Sequence, residues 1–469
     1  MPHVFVSAAH KSSGKTTVSI GLCAALKERG LNVQPFKKGP DYIDPMWLAS
    51  ASERDCYNLD FYTMQHDEIR QTFDRYNQAA DISLIEGNKG LYDGLDLDGS
   101  NSNAALATML DAPVILVLDA RGMTRGIAPL ILGYQAFNEN INIAGVILNQ
   151  LGGSRHESKL RNVIEHYTDA SVVGAIHKHE DMAIVERHLG LLPSNESDSA
   201  ANYIANIRKH VNASVDLDKI IDIANTAPDS KKIDFPQAKT ECKLRIAVAQ
   251  DAAFGFYYAS DLNAMRDAGV EVVKFDTLQD TTLPENIDGL FIGGGFPESS
   301  MQQLEDNVSM RESIRTAIEN GLPTYAECGG LMYLSKSLSW DDKKHNMVGI
   351  IPGDTHMHAK PQGRGYVKIE EPNEFIWPRL ESGSSKLHQA HEFHYSSLEG
   401  FVPNDEFRAA YKMKRGHGIN GEYDGIVYKN MLACYTHQRN VDSNPWVERF
   451  IQFILTNKSS QHLTGVELC

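Results

Sequence analysis

The sequence predicts an α/β protein of two domains: a P-loop-type parallel sheet, followed by a second α/β domain organised around a cysteine. Three observations carry this. Short apolar runs such as residues 114–119 (VILVLD), 143–149 (IAGVILN) and 172–176 (VVGAI) are continuous rather than alternating. Such runs mark parallel strands covered on both faces, and helix-length segments separate them. Several runs end in glycines or charged residues, as at 3–17, 288–298 and 323–331, the chemistry of strand ends that meet ligands. The chain of 469 residues is also too long for one core. The polar stretch Pro228, Asp229, Ser230, Lys231, Lys232 supplies a joint. The expected layout is a first domain over 1–205, a linker over 206–243 and a second domain over 244–460.

Composition narrows the function. Apolar residues make up 42% and charged residues 23%, ordinary for a soluble globular enzyme. A net charge of −16 argues against a general nucleic-acid or anionic-membrane binder. The six cysteines (Cys23, Cys56, Cys242, Cys328, Cys434, Cys469) form no CxxC pair, which suits a reducing compartment. A strand and a glycine loop begin within the first 16 residues, leaving no space for a signal peptide, and no apolar run reaches membrane-spanning length. The expected location is the cytoplasm.

Residues 3–17 (HVFVSAAHKSSGKTT) read as strand, small-residue loop and helix start. That is the setting of a phosphate-binding loop, because loop amides and the helix N-terminus face one anion. Ser12, Ser13, Gly14, Lys15, Thr16 and Thr17 are the candidate nucleotide contacts, with Lys15 on the terminal phosphates and Thr16 on Mg²⁺. Ala9 stands where the full motif has glycine. Residues 33–45 (VQPFKKGPDYIDP) end a strand in Lys37 and Lys38 and turn through Asp41 and Asp44. Charge pattern alone reads this as a solvated turn, while its place at a strand end reads as a ligand site. Residues 81–94 (DISLIEGNKGLYDG) place Glu86 at the end of a further strand, where a carboxylate can hold Mg²⁺ or orient water. Asp93, Asp96 and Asp98 fail as a calcium loop, since Gly94 falls where the first ligand belongs, so this is read as a substrate loop. The pairs His177/His179 and His356/His358 are read as surface or core histidines rather than metal ligands. Residues 186–192 (ERHLGLL) close the first domain.

Residues 244–249 (LRIAVA) restart the strand pattern. An isolated cysteine is ordinarily an inert core residue. Cys328, however, stands in PTYAECGGL, an apolar run that turns through two glycines, the pattern of a nucleophile elbow with cysteine for serine. Upstream, DGLFIGGGFPE supplies amides at Gly294 and Gly295 that, with Gly329, suit an oxyanion. Downstream, LACYTH ends in His437, the candidate base. His388, His391 and His394 in HQAHEFHYS fit a strand or loop better than a helical metal site. No internal repeat or low-complexity tract is present.

The set GGGFPE, YAECGGLMYL and CYTHQRNVDSNP resembles the triad-type class I glutamine amidotransferase domain of the cobyrinic acid a,c-diamide synthase family. SSGKTTV, QPFKKGPDYIDP, the EG…GLYDG segment and ERHLGL have counterparts in the same family, so the resemblance covers nearly the whole chain. It implies a dethiobiotin-synthetase-like ATP domain fused to a glutaminase. ATP and Mg²⁺ phosphorylate acetate carboxylates of a tetrapyrrole, and ammonia displaces the phosphate. Cys328 is then the nucleophile and His437 its base. Lys15, Thr16 and Lys37 contact nucleotide; Thr16, Asp41 and Glu86 hold the metal; Asp44, Lys89, Tyr92 and Asp93 lie toward the acceptor. Many class I relatives carry a glutamate two residues after the histidine, but Arg439 stands here, and the third member of the triad is unassigned. Asn88 and Lys89 replace the near-apolar pair usual after EG, which resembles a branch associated with sirohaem amidation.

The expected function is therefore ATP-dependent, glutamine-hydrolysing amidation of the a and c acetates of cobyrinate, in cobalamin biosynthesis. The expected partners are the tetrapyrrole and L-glutamine, with a homodimer among the expected assemblies and neither nucleic acid nor membrane. The alternatives are the same chemistry on sirohaem or another reduced tetrapyrrole, and a nucleotide-dependent scaffold with an inactive glutaminase domain. A stand-alone carboxylating ligase of the dethiobiotin type ranks last, because it leaves the cysteine domain unexplained.

Overall fold

The computed structural model describes residues 1–182, 184, 186–187, 190–191, 193–196, 199–229, 243–380 and 386–464. Residues 188–189 and 192 of the ERHLGLL segment, residues 230–242 of the expected linker (Cys242 among them) and Cys469 lie outside the described residues. The chain divides into two compact units, Met1–Phe61 with Gln65–Phe235, and Tyr62–Met64 with Pro236–Cys469.

In the first unit the apolar runs become β1 (His3–Ala8), β2 (Val33–Lys38), β3 (Tyr57–Leu59), β4 (Ile82–Glu86), β5 (Val114–Asp119), β6 (Ile143–Leu151) and β7 (Val172–His177). They form one sheet in the order β3-β2-β4-β1-β5-β6-β7, and every pairing is parallel. All residues of β1, β2 and β4 are buried, as continuous apolar strands between two helical layers should be. Between β1 and β5 run α1 (Lys15–Glu28), α2 (Ile43–Ser52), α3 (His66–Asn77) and α4 (Asn103–Met109). Beyond β5 come α5 (Ile127–Phe137) and α6 (Ser154–Tyr167). The chain leaves β1 toward β2 on one side and leaves β4 toward β5 on the other. Loops diverging from adjacent strands open a crevice at the strands' carboxyl ends, where open parallel sheets bind ligands. The ends of β1, β2 and β4 carry the glycine loop, Lys37 and Glu86.

The first unit runs past the expected boundary at 205. Helices α7 (Ala200–Ser214) and α8 (Leu217–Ala224) occupy much of the segment expected as linker, and α7 packs on α1. A Cβ on Gly21 would lie 2.3 Å from Val211 and 3.0 Å from Ile207, so the glycine permits the close approach. Contact on both sides buries α1 continuously from Val18 to Leu26. The turn expected to carry Asp44 is instead the first turn of α2, whose entry is tied by Asp41 Oδ1 accepting the Ile43 amide at 2.9 Å.

The second unit holds a nine-stranded mixed sheet. Its parallel half runs in the order Glu271–Phe275, Arg245–Ala249, Gly289–Ile292, Thr324–Glu327, Met431–Cys434. It continues antiparallel through Tyr423–Tyr428, Arg408–Arg415, Gly363–Glu370 and Leu387–His394. The segment with His388, His391 and His394 is thus a strand, as expected. The helix Trp446–Thr464 lays Trp446, Phe450 and Ile454 into a core shared with Tyr325 and Trp377. The ring centroids of Tyr325 lie 4.9 Å from Trp446 and 5.0 Å from Trp377. Among the described residues no helix is long and apolar enough to cross a membrane.

Candidate active sites

The first site lies at the carboxyl ends of β1, β2 and β4. The chain turns from β1 into α1 through Ser12 (φ 66°) and Gly14 (φ 83°), left-handed backbone that glycine adopts freely and serine only at a cost. Asn149, near the end of β6, holds the loop by donating from Nδ2 to the Ser13 carbonyl at 2.9 Å. A Cβ on Gly14 would lie 2.1 Å from that same amide nitrogen. The Ser13 hydroxyl donates to the His10 carbonyl at 2.8 Å. Ser12 is exposed, and Thr17 is half-buried in the first turn of α1.

Five of the expected side chains converge. Thr16 Oγ1 donates to Glu86 Oε1 at 2.7 Å and lies 3.3 Å from Asp44 Oδ2. Lys37 Nζ donates to Glu86 Oε1 at 2.9 Å and to Asp44 Oδ2. Lys15 Nζ lies 3.5 Å from Glu86 Oε1. Lys37 is only 1% exposed and Glu86 is fully buried, so the solvated charged turn does not describe this segment. Burial opposes the charge on Lys37, but Asp44, Glu86 and Asp41 outweigh it and hold its ammonium above the ordinary range. For Lys15 the balance is reversed: burial and the Lys37 charge lower it against Glu86 and Asp44. Burial works against the Asp44 carboxylate too, yet Lys37 and Lys15 keep it below its usual range. Burial, then the neighbouring Asp44, raises Asp41. Burial also brings Lys38 down to about 8, helped by Lys89 and Lys37.

Glu86 Oε2 is buried with no hydrogen-bond partner among the described residues, while Oε1 takes every donor. A hydroxyl and two carboxylates, one of them with an orphaned buried oxygen, form the hard-oxygen set that suits Mg²⁺. Asp41, expected at the metal, and Asp44, expected toward the acceptor, lie side by side. Asp44 lies with Thr16 and Glu86, and Asp41, which shares a side-chain hydrogen bond with Asp44, stands 3.9 Å from Lys37 while its Oδ1 accepts the Ile43 amide at the entry of α2. Of the acceptor-side candidates, Tyr92 donates its hydroxyl to the Tyr134 carbonyl, and Asp93 accepts the Gly90 amide at 2.8 Å. Lys89 is exposed with φ 42°. Asn103 and Asn149, which hold the loops, went unnoticed in the sequence because their partners are backbone groups distant along the chain.

The second site is built on adjacent strands, Thr324–Glu327 and Met431–Cys434, paired in parallel register so that Glu327 lies opposite Cys434. Cys328 follows directly with φ 49° and ψ −101°, a backbone position that side chains other than glycine avoid. This is the sharp strand-to-helix turn expected, since the helix Gly329–Leu334 begins at once. The thiol lies 3.9 Å from the Phe393 carbonyl. Burial works against an imidazolium at 437, but the charge of a Cys328 thiolate, a hydrogen bond to it and the Glu327 carboxylate push His437 up to about 10. The glycines crowd the same place. A Cβ on Gly294 would lie 2.6 Å from His437 Cε1, and one on Gly329 would lie 3.0 Å from the Gly295 nitrogen. Cys328, His437, Gly294, Gly295 and Gly329, read from three separated segments, therefore meet.

His391 joins them unannounced by the sequence. Its ring stacks on His437 at 4.9 Å between centroids and 17° between planes, and the His437 amide donates to its carbonyl at 2.8 Å. Among the described residues one further group of histidine and carboxylate could hold a metal: His179, Asp181 and His210. The His179 and His210 rings stack at 3.9 Å and 24°, which leaves their in-plane lone pairs nearly parallel rather than convergent on one ion. His177 bonds Glu157 at 2.9 Å, His358 bonds Ser397 at 2.7 Å, and His388 bonds Glu371 at 2.8 Å, each by Nε2.

Residues 245–444 match the CobB/CobQ-like glutamine amidotransferase domain, and residues 3–186 match an AAA domain. The pair defines the class: an ATP-dependent amidoligase with glutamine as its amide donor. The chain belongs to the cobyrinate a,c-diamide synthase family. It is 43% identical to the cobyrinate a,c-diamide synthase of Magnetococcus marinus over 97% of both chains. Identity is 39% to that of Dehalococcoides mccartyi, over 93% of this chain and 94% of the relative. Against that of Methanosarcina acetivorans it is 38%, over 94% and 93%. The solved structure of PurLQS from Thermotoga maritima aligns over 46% of this chain and 99% of its own, at 15% identity and a TM-score of 0.34, too slight a likeness to carry argument.

Proposed function

We propose that this enzyme amidates the a and c acetate carboxylates of cobyrinate, drawing nitrogen from glutamine and energy from ATP. In the second domain the Cys328 sulfur attacks the side-chain amide carbon of glutamine. His437 gives a proton to the departing nitrogen, ammonia leaves, and water hydrolyses the resulting thioester to glutamate. The amides of Gly294, Gly295 and Gly329 would stabilise the oxyanion that develops there. In the first domain the γ-phosphoryl group of ATP passes to an acetate oxygen, since a carboxylate is a poor acyl donor at neutral pH. Ammonia then attacks the acyl carbon and phosphate departs. Lys15 and the loop amides hold the polyphosphate, and Lys37 neutralises charge beside it. Thr16, Glu86 and Asp44 would hold Mg²⁺, which when bound offsets charge on the phosphate oxygens.

The observation that supports this reading most is that relatives named for cobyrinate amidation align over nearly the entire chain, which includes both residue clusters. The test is incubation with ATP, glutamine and a panel of cobyrinate, sirohaem and other tetrapyrroles, read by mass spectrometry. Cobyrinate should exchange OH for NH₂ twice. Exchange on sirohaem alone would move the assignment to the branch suggested by Asn88 and Lys89. Absence of glutaminase activity with and without ATP would favour a scaffold.

A further inference from the structure

A histidine that shuttles protons through one ring nitrogen works only if the other is held, which fixes the tautomer and the ring plane. Arg439, two residues beyond His437, cannot do this; its guanidinium lies over the Tyr258 ring, 5.0 Å from the centroid. The residue that faces the ring comes from the neighbouring strand. Glu327 Oε2 lies 3.4 Å from His437 Nδ1. Its other oxygen accepts the Gln438 amide at 2.9 Å and the Tyr325 hydroxyl. Gln438 Nε2 in turn donates to the Tyr325 oxygen at 3.0 Å and to Tyr411 at 2.9 Å. The carboxylate is 2% exposed and tied on one side through Oε1, and its Oε2 is the oxygen that approaches the imidazole. The parallel register that sets Glu327 opposite Cys434 places it three positions before His437, and the next residue in its own strand order is the thiol.

We propose that Glu327 is the positioning carboxylate of His437, so that acid and nucleophile of the triad are consecutive residues. This rests on the glutaminase reading of Cys328. The charged and titratable groups around His437 are Glu327 from the end of its strand, Cys328 from the turn, His391 from the strand Leu387–His394, and Arg439, with Asp261 and Tyr325 behind Glu327. Burial, His437 and Arg439 hold His391 well below the ordinary histidine range, so it stacks on His437 as a neutral ring. The negative charge favouring an imidazolium therefore comes from Glu327 and the thiolate.

The test uses the full chain with Glu327→Gln. Glutaminase kcat should fall by about 10²–10⁴, as when the acid of a triad is neutralised without loss of shape, while ammonium-dependent synthesis persists. The alkaline limb of kcat/KM should move to lower pH by about 1–3 units, because loss of a nearby negative charge lowers the imidazolium pKa. Unchanged kcat and limb in a variant that retains ammonium-dependent synthesis overturn the proposal. Glu327→Asp, which keeps the charge but withdraws it by one methylene, serves if the amide variant does not fold. It should lower kcat with the limb in place, and parental kcat in E327D overturns the proposal. Failure of the underlying reading looks different: Cys328→Ala would then leave glutaminase activity untouched.

Discussion

The two sites stand at equivalent places, the carboxyl ends of parallel strands, yet they are built on opposite principles. In the first domain, Lys15, Lys37, Asp44 and Glu86 satisfy one another across a few ångströms, and Glu86 Oε2 is left without a donor. A polyphosphate and a cation bound there, as proposed, would have to re-pair those charges. In the second domain, Cys328, His437 and Glu327 are fixed by a strained turn, strand register and stacked rings. Such a site is organised before its substrate arrives, which favours transition-state charge without reorganisation. Ligand should therefore govern the first domain and backbone geometry the second.

The largest separation should come from removing one centre at a time. Cys328→Ala should abolish glutaminase activity and glutamine-dependent synthesis while sparing synthesis from added ammonium. Loss of both together would mean that the domains do not divide the chemistry. Glu86→Gln should do the converse. Synthesis from either nitrogen source should drop by about 10²–10³, the usual cost of one preorganised electrostatic group, and glutaminase measured without ATP should stand. Chelation of divalent cations should mimic E86Q and leave glutamine hydrolysis intact.

How far each site was legible follows from the same contrast. Parallel strands buried on both faces announce themselves as apolar runs, and glycines at their ends marked both loops and Cys328. The antiparallel half of the second sheet did not. Arg408–Arg415 (RAAYKMKR) faces solvent on one side, so its apolar residues are thinned and charges interrupt them. The strand-end place of Lys37 and Lys38 pointed to a ligand site, but their burial was hidden, because a sequence shows charge and not the carboxylates that fold back on it. Asp44 belonged to a helix turn hidden by Pro45, a residue that helices tolerate at their start. Glu327 and His391 were invisible as partners of His437 because strand pairing, not sequence spacing, unites them.

Glycines sharpen the comparison at smaller cost. Gly294→Ala would press a methyl group on His437 Cε1. A displacement of about 1 Å in a catalytic group can cost about 10²-fold, so glutaminase should fall by that order with ammonium-dependent synthesis unchanged. Gly14→Ala meets the Asn149 amide, the far end of a side chain that can yield, so what remains is left-handed strain at φ 83°. Such strain costs about 1–3 kcal/mol, which should raise the KM for ATP about fivefold to a hundredfold without touching glutaminase. If G14A proved the more damaging to glutamine hydrolysis, the two sites would be coupled more tightly than their construction suggests.

The smallest effect tests where the acceptor lies. The backbone beside Lys89 is fixed, since Asn103 donates to the carbonyls of Asn88 and Gly90 and accepts the Asn88 amide at 3.0 Å. The lysine itself is exposed with φ 42°, so a rigid loop presents a flexible cation. Lys89→Ala should raise the KM for a carboxylated macrocycle by about twofold to fivefold, the ordinary range for an exposed charge pair. The increase should shrink with added salt, because exposed pairs are screened. A change in the KM for ATP instead would place this loop over the nucleotide, and the acceptor would then be sought at Tyr92 and Asp93.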